Sequence, residues 1–436
     1  MDFEEQALGA KLDVGVSFGT KPAAQTPARI CPVTLPEEID PFVSNGLETA
    51  LGEEWLSILD GAVDIARQKH QIQELFDWEI TDGTAFAKFA SGMLKWVPTE
   101  NASAKVTYDV ICLFYFVFDQ SSDIVYQTKI DTASINQDGS VKITPLSKWM
   151  VDFAQKIGEF MDSPDSLTVE SFQTFAGSPL YHLEQAEIPD EGFKTFNELF
   201  ARKLKEGMRP VSCPDDDRVI VYPADSTFDG AWPVDNGTVS IKGLDWPISA
   251  LLENSDHADS FDGGIWMHAF LNTFDYHRQH APVSGTVVEA KNIMGLAYLN
   301  VIPETIDGET HLRPHRNFNK YGDDDLDAPD DPGYQFLQLR GSVVIQNDIL
   351  GYVAVLPIGM AQVSSVVLNE AIVPSSDNPR PTVKKGDEIS HFEFGGSDIV
   401  LVFQAAAKPL ILGANSGVNG QKYLVGEPLG VAGLGA

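Results

Sequence analysis

The chain contains few of the residues that would indicate a disulfide-stabilised or metal-binding protein. It has 436 residues and only three cysteines, Cys31, Cys112 and Cys213, which lie far apart in the sequence. They form no CxxC pair and no Cys/His spacing typical of a metal site, so we expect no bound metal. An odd number of scattered cysteines is typical of a reducing compartment, and we expect a cytoplasmic protein.

Basic residues are also scarce. The chain has 30 Lys and Arg against 63 Asp and Glu, which gives a net charge of −33. Such a surface repels phosphate backbones and anionic lipid headgroups. We therefore expect no binding to nucleic acid, and we expect a small or cationic partner.

The longest apolar run, 110–118, is too short for a bilayer, which needs about 20 residues. The acidic start of the chain carries no apolar signal segment. We therefore expect no stable membrane insertion.

Hydrophobic residues make up 43% of the chain, as in a globular protein with a large core. Residues 1–45 are predicted to be an irregular N-terminal arm. Residues 46–190 show helical periodicity, with apolar residues on one face of each predicted helix. Residues 191–436 contain short β-rich segments separated by turn residues, among them 343–346, 351–356 and 398–403. The fold class predicted is α+β, with a helical domain followed by a β-rich catalytic domain.

An acidic Pro/Gly segment lies between residues 323 and 331. Its aspartates suggest Ca²⁺, but the spacing of an EF-hand loop and its closing Glu are absent. A solvated loop is therefore the preferred interpretation.

The tripeptide Gly395-Gly396-Ser397 is the first candidate for chemistry. A segment with strand-like alternation precedes it and a β-branched apolar run follows it. Two glycines allow backbone conformations that other residues avoid. That freedom would let the Ser397 hydroxyl attack the carbonyl of the residue before it, although for the tripeptide alone a turn between two strands is by far the commoner explanation.

Other polar segments offer partners for this serine. His277 and His280 are three residues apart with Arg278 between them, a pattern that suggests proton transfer or anion binding. Asp225 follows a predicted strand and a proline turn, where it could orient a histidine. The predicted helix over 193–204 is followed by a basic cluster that includes Arg209. These cations could simply complement the helix dipole.

Taken in order, these segments resemble the phosphatidylserine decarboxylase family, the pyruvoyl-dependent decarboxylases. The resemblance covers about residues 190–405. It rests on five elements: F-x-E-L-F-x-R-x-L-K-x-G-x-R-P at 196–210, Y-P-A-D at 222–225, I-K-G at 241–243 with the Leu pair at 251–252, D-Y-H-R-x-H at 275–280, and G-G-S at 395–397. The segments Ala281–Val287 and Val383–Phe392 are similar to the two halves of a lipoyl-type β-sandwich, which implies that they pair.

The resemblance implies self-cleavage between Gly396 and Ser397, after which residue 397 becomes a pyruvoyl group. It implies a processing triad of Asp225, His280 and Ser397, in which His280 is the base and Asp225 orients it. It implies that His277 is an acid in decarboxylation. The pyruvoyl group would replace pyridoxal phosphate as electron sink.

Two positions depart from the family pattern. Asp398 stands where the family usually has Ser or Thr, and Ser226 stands where it has Gly. A carboxylate beside the attacking serine should hinder cleavage unless it is protonated or hydrogen-bonded. We therefore expect Asp398 to decide how well the chain processes itself.

Further sequence motifs at 270–286, 358–360 and 392–397 resemble those of the soluble branch of the family, such as the fungal L-tryptophan decarboxylases. This resemblance implies a free L-amino acid substrate, with an aromatic one expected. The predicted substrate-binding residues are His268, Phe270, Met294 and Tyr298. Two alternatives stay open: a phosphatidylserine decarboxylase, and an unprocessed binding protein without catalysis. Homo-oligomerisation is also left open.

Overall fold

The structure of the protein is a computed structural model that describes residues 30–128, 132–136, 139–241, 244–314, 334–361, 366–395, 397–405, 410–411 and 420–432. Most of the predicted arm, the acidic segment over 323–331 and Gly396 lie outside these residues. In the described part, the chain is mainly helical up to residue 200 and mainly β-strand after residue 218. This arrangement confirms the predicted α+β class.

The helices pack their apolar faces inward. They are α1 (Pro41–Leu51), α2 (Trp55–Asp64, continued by a π-helical turn), α3 (Gln73–Asp77), α4 (Gly83–Met93), α5 (Val106–Phe118), α6 (Ser122–Thr128), α7 (Pro145–Met161), α8 (Val169–Ala176), α9 (Phe196–Phe200) and α10 (Ile248–Leu251). The apolar run at 110–118 lies in α5 and is buried. No helix among the described residues is long and apolar enough to cross a membrane.

Two helix boundaries differ from the sequence prediction. α1 begins at Pro41, inside the predicted irregular arm, because the Asp40 carboxylate caps it by accepting the Phe42 N–H at 2.8 Å. α9 ends at Phe200, although the pattern predicts a helix over 193–204. The chain leaves the helix there because Leu204 forms a β-bridge with Ala186.

The strands are mostly short. They are β1 (Val219–Val221), β2 (Ser226–Pro233), β3 (Thr238–Ile241), β4 (Leu244–Pro247), β5 (Ile265–Leu271), β6 (Arg278–His280), β7 (Gly285–Ile293), β8 (Val301–Ile306), β9 (Glu309–Pro314), β10 (Arg340–Asn347), β11 (Gly351–Gly359), β12 (Val366–Leu368), β13 (Thr382–Val383), β14 (Glu388–Phe392), β15 (Ser397–Phe403), β16 (Leu410–Ile411), β17 (Lys422–Tyr423) and β18 (Pro428–Val431). The predicted strands at 343–346, 351–356 and 398–403 are confirmed within β10, β11 and β15.

An eight-stranded antiparallel sheet organises the second half of the described chain, in the order β13-β7-β10-β11-β15-β5-β2-β17. β15 lies between β11 and β5, so its first residue, Ser397, is opposite both Gly359 and Leu271. A smaller sheet has the order β12-β14-β6. The two segments expected to pair are joined through β13–β7, where Val383 faces Gly285, and through β14–β6.

The two faces of β15 belong to different cores, because successive side chains of a strand point to opposite faces. Ile399, Leu401 and Phe403 lie in the core that also contains the helices. Val400 and Val402 lie in a second core on the other face of the sheet. Ser397 therefore faces the helical side and Asp398 faces away from it.

The helical region and the strands share one hydrophobic core. Trp96, after α4, packs edge-on against Phe394 with ring centroids 5.8 Å apart. The Tyr108 hydroxyl in α5 donates to Asn272 Oδ1 at 3.1 Å. The helices thus contact both the segment that leads to Ser397 and the loop that leads to His277.

We expect Trp96→Ala to lower the free energy of unfolding by about 3–5 kcal/mol, because removing a buried indole leaves a cavity that the surroundings fill only in part. Urea unfolding measures this best in a Ser397→Ala background, where the chain stays intact. As a control, Val169→Ala truncates a side chain that is 69% exposed and should change stability by less than about 0.5 kcal/mol. An equally small effect at Trp96 would contradict the shared core.

Candidate active site

The segment before Ser397 is enclosed by aromatic rings. Phe394 contacts the rings of Trp96, Phe196 and Phe200, with centroids 5.8, 5.3 and 5.6 Å away. Its backbone N–H donates to Asn197 Oδ1 at 2.9 Å. Gly395 has a φ of 148°, a conformation that favours glycine. The chain is therefore held tightly among aromatic rings up to Gly395.

Ser397 is fully buried and its hydroxyl meets a histidine. Its Oγ lies 3.3 Å from His277 Nδ1. The His277 ring stacks on Phe200 at 3.9 Å, and its Nε2 lies 3.3 Å from the Thr273 carbonyl oxygen. Because a carbonyl can only accept, Nε2 carries the proton and Nδ1 presents a lone pair to the serine.

His277 is held in its neutral form. Burial is the main cause, and together with the nearby Arg202 charge it lowers the pKa of His277 to about 3. The neutral ring presents a lone pair to a buried hydroxyl, which is the geometry of a general base, whereas so low a pKa makes it a weak one. The geometry therefore equips His277 to take the Ser397 proton.

His280 has different partners. The Tyr276 hydroxyl lies 3.1 Å from its Nε2, and the Gly386 carbonyl oxygen lies 2.7 Å from its Nδ1. Burial lowers the pKa of His280 as well. Both ring nitrogens are thus engaged away from Ser397, although the sequence predicts this histidine as the serine's base.

Asp225 is buried against an arginine. Arg209 Nε donates to its Oδ1 at 2.8 Å, and a second guanidinium nitrogen of Arg209 donates to its Oδ2. The Val425 N–H also donates to Oδ1, at 2.9 Å. Asp225 stays near His280, since the His280 backbone N–H donates to the Pro223 carbonyl at 2.7 Å. Asp225 and His280 are therefore neighbours, but the contact to Ser397 comes from His277.

The loop that carries His277 is fixed by two cations. The Arg202 guanidinium donates to the carbonyls of Phe274 and Asp275 at 3.0 and 3.2 Å. Lys422 forms an ion pair with the buried Asp275 carboxylate. Burial raises the pKa of Asp275, and the Lys422 charge opposes that shift. These contacts set the position of the His277 ring.

A cavity of about 360 Å³ lies on the other side of this loop. Its lining includes Arg202, Arg209, Asp225, Tyr276 and Lys422. Three cations and the carboxylates of Asp225 and Asp275 in one cleft suit a ligand that carries both charges. The cavity also adjoins the Tyr276 hydroxyl that contacts His280.

The sequence pointed to part of this cation cluster. The basic residues after α9 are conspicuous in so acidic a chain, yet their spacing is equally compatible with a helix-dipole role. Lys422 carries no local signal, because only the pairing of β17 with β2 brings it to the loop.

The four residues predicted to bind substrate lie apart. His268 is buried and its ring contacts two carboxylates, whereas Met294 is 58% exposed. The Tyr298 hydroxyl donates to Asp119 Oδ2 at 3.0 Å. None of these three, nor Phe270, is among the described residues that line the cavity. Their role in substrate binding therefore stays a prediction.

Asp398 does not share the site of Ser397. It is fully buried on the opposite face of β15, where its Oδ2 accepts from His268 Nε2 at 2.9 Å. The sequence suggested that this carboxylate would oppose the serine unless it were hydrogen-bonded, and the hydrogen bond is present. Among the described residues, no group of three or more His, Cys, Asp or Glu side chains could hold a metal ion.

The region of the chain that builds this site is similar to known proteins. The profile of the family described as phosphatidylserine decarboxylase matches residues 196–431. Phosphatidylserine decarboxylase proenzyme 2 of Oryza sativa subsp. japonica is 30% identical over 65% of this chain and 40% of its own length. Proenzyme 3 of Schizosaccharomyces pombe is 30% identical over 57% of the chain and 22% of its own length. The Bacillus cereus proenzyme is 31% identical over 54% of the chain and 76% of its own length. The chain thus spans less than half of the first two relatives.

Proposed function

Because the chain belongs to the phosphatidylserine decarboxylase family, we propose that it cuts itself between Gly396 and Ser397 and then works as a pyruvoyl-dependent decarboxylase. The observation that carries the proposal is the contact between the buried Ser397 hydroxyl and the neutral His277 ring at 3.3 Å. The names of the relatives, all proenzymes, agree with it.

In the proposed cleavage, His277 takes the hydroxyl proton while Ser397 Oγ bonds to the carbonyl carbon of residue 396. The bond from that carbon to the Ser397 nitrogen breaks, and the proton passes to this nitrogen. Loss of the α-hydrogen of residue 397 then expels the new chain end as a carboxylate. Water finally replaces the nitrogen, which leaves as ammonia, and residue 397 is left with a ketone. The aromatic enclosure of Phe394 limits competing hydrolysis of the ester.

The pyruvoyl group would supply the electron sink for decarboxylation. The cavity across the loop holds groups that suit the remaining tasks. Arg209 and Lys422 can attract an anionic part of the substrate, and Asp225 can attract its amine. Tyr276 connects the cavity with His280, so this pair can deliver a proton to the product. The structure thereby supports an exchange of the histidine roles that the sequence suggests, and both assignments stay proposals.

A comparison of His277→Ala with His280→Ala tests the assignment. We expect His277→Ala to slow self-cleavage by about 10²–10⁴-fold, the usual contribution of a general base. His280→Ala should cleave nearly normally and lose decarboxylation. A time course on denaturing gels, starting from the full-length band near 47.6 kDa, measures both. The reverse pattern would restore His280 as the base.

Phosphatidylserine is the substrate we propose first, because the relatives are named for it. The competing candidate is a free L-amino acid, aromatic by resemblance. The net charge of −33 favours this alternative, since it opposes approach to an anionic bilayer. A cytoplasmic location remains a prediction from the scattered cysteines.

A substrate panel separates the candidates. Cleaved protein is mixed with phosphatidylserine vesicles, or with L-tryptophan, L-phenylalanine or L-serine, and CO₂ and amine are measured. We expect CO₂ from the vesicles, with a rate that rises with ionic strength as salt screens the charge repulsion. Ser397→Ala is the inactive control.

Turnover of free amino acids alone would contradict the lipid assignment and support the alternative. An uncleaved chain that releases no CO₂ from any substrate would support the non-catalytic binding protein.

A further inference from the structure

Behind the cleavage strand, a histidine lies between two carboxylates. His268 Nδ1 donates to Asp229 Oδ2 at 2.8 Å, and its Nε2 donates to Asp398 Oδ2 at 2.9 Å. The exposed fractions of Asp229, His268 and Asp398 are 6%, 2% and 0%. We call these three residues the rear cluster. They come from three adjacent strands, β2, β5 and β15.

The rear cluster lies on the face of the sheet opposite Ser397. His268 is opposite Val400 of β15, and Val400 belongs to the second core. The Trp266 ring stacks on His268 at 5.7 Å, and the Gln335 amide lies 3.3 Å from Nε2. Among the described residues, the polar groups shown to face the imidazole are two carboxylates and one amide. Asp398 of the cluster adjoins Ser397 through one peptide unit of β15.

The imidazole between the carboxylates carries a positive charge. Burial lowers the pKa of His268, but the Asp398 charge and the hydrogen bonds to both carboxylates outweigh burial and raise it to about 10. The imidazolium therefore offsets the Asp398 charge at neutral pH. Without it, a buried negative charge would stand next to the residue whose hydroxyl, nitrogen and α-carbon take part in cleavage.

We propose that the rear cluster is a positioning device for self-cleavage, in which the His268 imidazolium neutralises Asp398 and ties β15 to β5 and β2 so that Ser397 stays against His277. This role rests on the proposed function. It explains how the chain carries an acidic residue directly after its attacking serine. No member of the rear cluster touches the reacting atoms, so all three are positioning residues.

The test compares His268→Gln, Asp398→Asn and the double variant, with the self-cleavage rate measured on gels from pH 5 to 9. In His268→Gln the Asp398 carboxylate lacks its cation, so we expect cleavage to slow by about tenfold or more at high pH and to recover at low pH, where Asp398 binds a proton. The double variant, which removes the charges of His268 and Asp398 and leaves that of Asp229 on β2, should cleave at a rate close to the native rate, and the ratio of the two rates should change little with pH. Urea unfolding reports whether each variant is folded.

His311→Gln is the matched control. It breaks a part-buried contact of 2.9 Å between His311 of β9 and Glu74 of α3, outside the sheet that contains β15. It should leave cleavage unchanged. A His268→Gln rate equal to the native rate would overturn the positioning role alone. A double variant as slow as His268→Gln at every pH would overturn the positioning role as well, because lost packing and not unbalanced charge would then explain the slow cleavage. A native chain that never cleaves would instead overturn the proposed function, and this role with it.

Discussion

The pairing of β15 between β11 and β5 is the constraint on which the candidate site depends. It places Ser397 at the start of a central strand, opposite Gly359 and Leu271. It also decides which face of the sheet each following residue occupies. The serine is thereby brought to a neutral histidine in a dry aromatic enclosure. The acidic residue after it is carried to the other face, where a histidine can compensate its charge.

The second constraint is the loop from Asn272 to His277. Backbone carbonyls of this loop accept from Arg202, its buried Asp275 pairs with Lys422, and α5 holds its start through Tyr108. His277 of this loop contacts Ser397, whereas Asp275 and Tyr276 line the cavity. The helical region, which the family profile does not cover, therefore contributes directly to the geometry of the site.

The sequence predicted the α+β class, the strand that begins at Ser397 and the candidate chemistry, because local alternation and ordered motifs carry that information. The resemblance assigned His280 to the serine, whereas His277 makes the contact; both lie within one short motif, and the contact depends on a loop held by distant cations. The sequence could not pair His268 with Asp398, which are 130 residues apart and meet only through sheet register. For the same reason it could not show that Met294 is exposed or that Tyr298 bonds to Asp119, and the role of the predicted substrate-binding set stays a prediction.

The central claim is that residue 397 becomes the start of a new chain without an amine. Intact-mass spectrometry of the purified protein tests it most directly. The account predicts a C-terminal piece spanning 397–436 whose mass is one ammonia lower than that of the same peptide beginning with serine, together with a long piece ending at residue 396. A single uncut chain, or a C-terminal piece with an intact N-terminal serine, would contradict it.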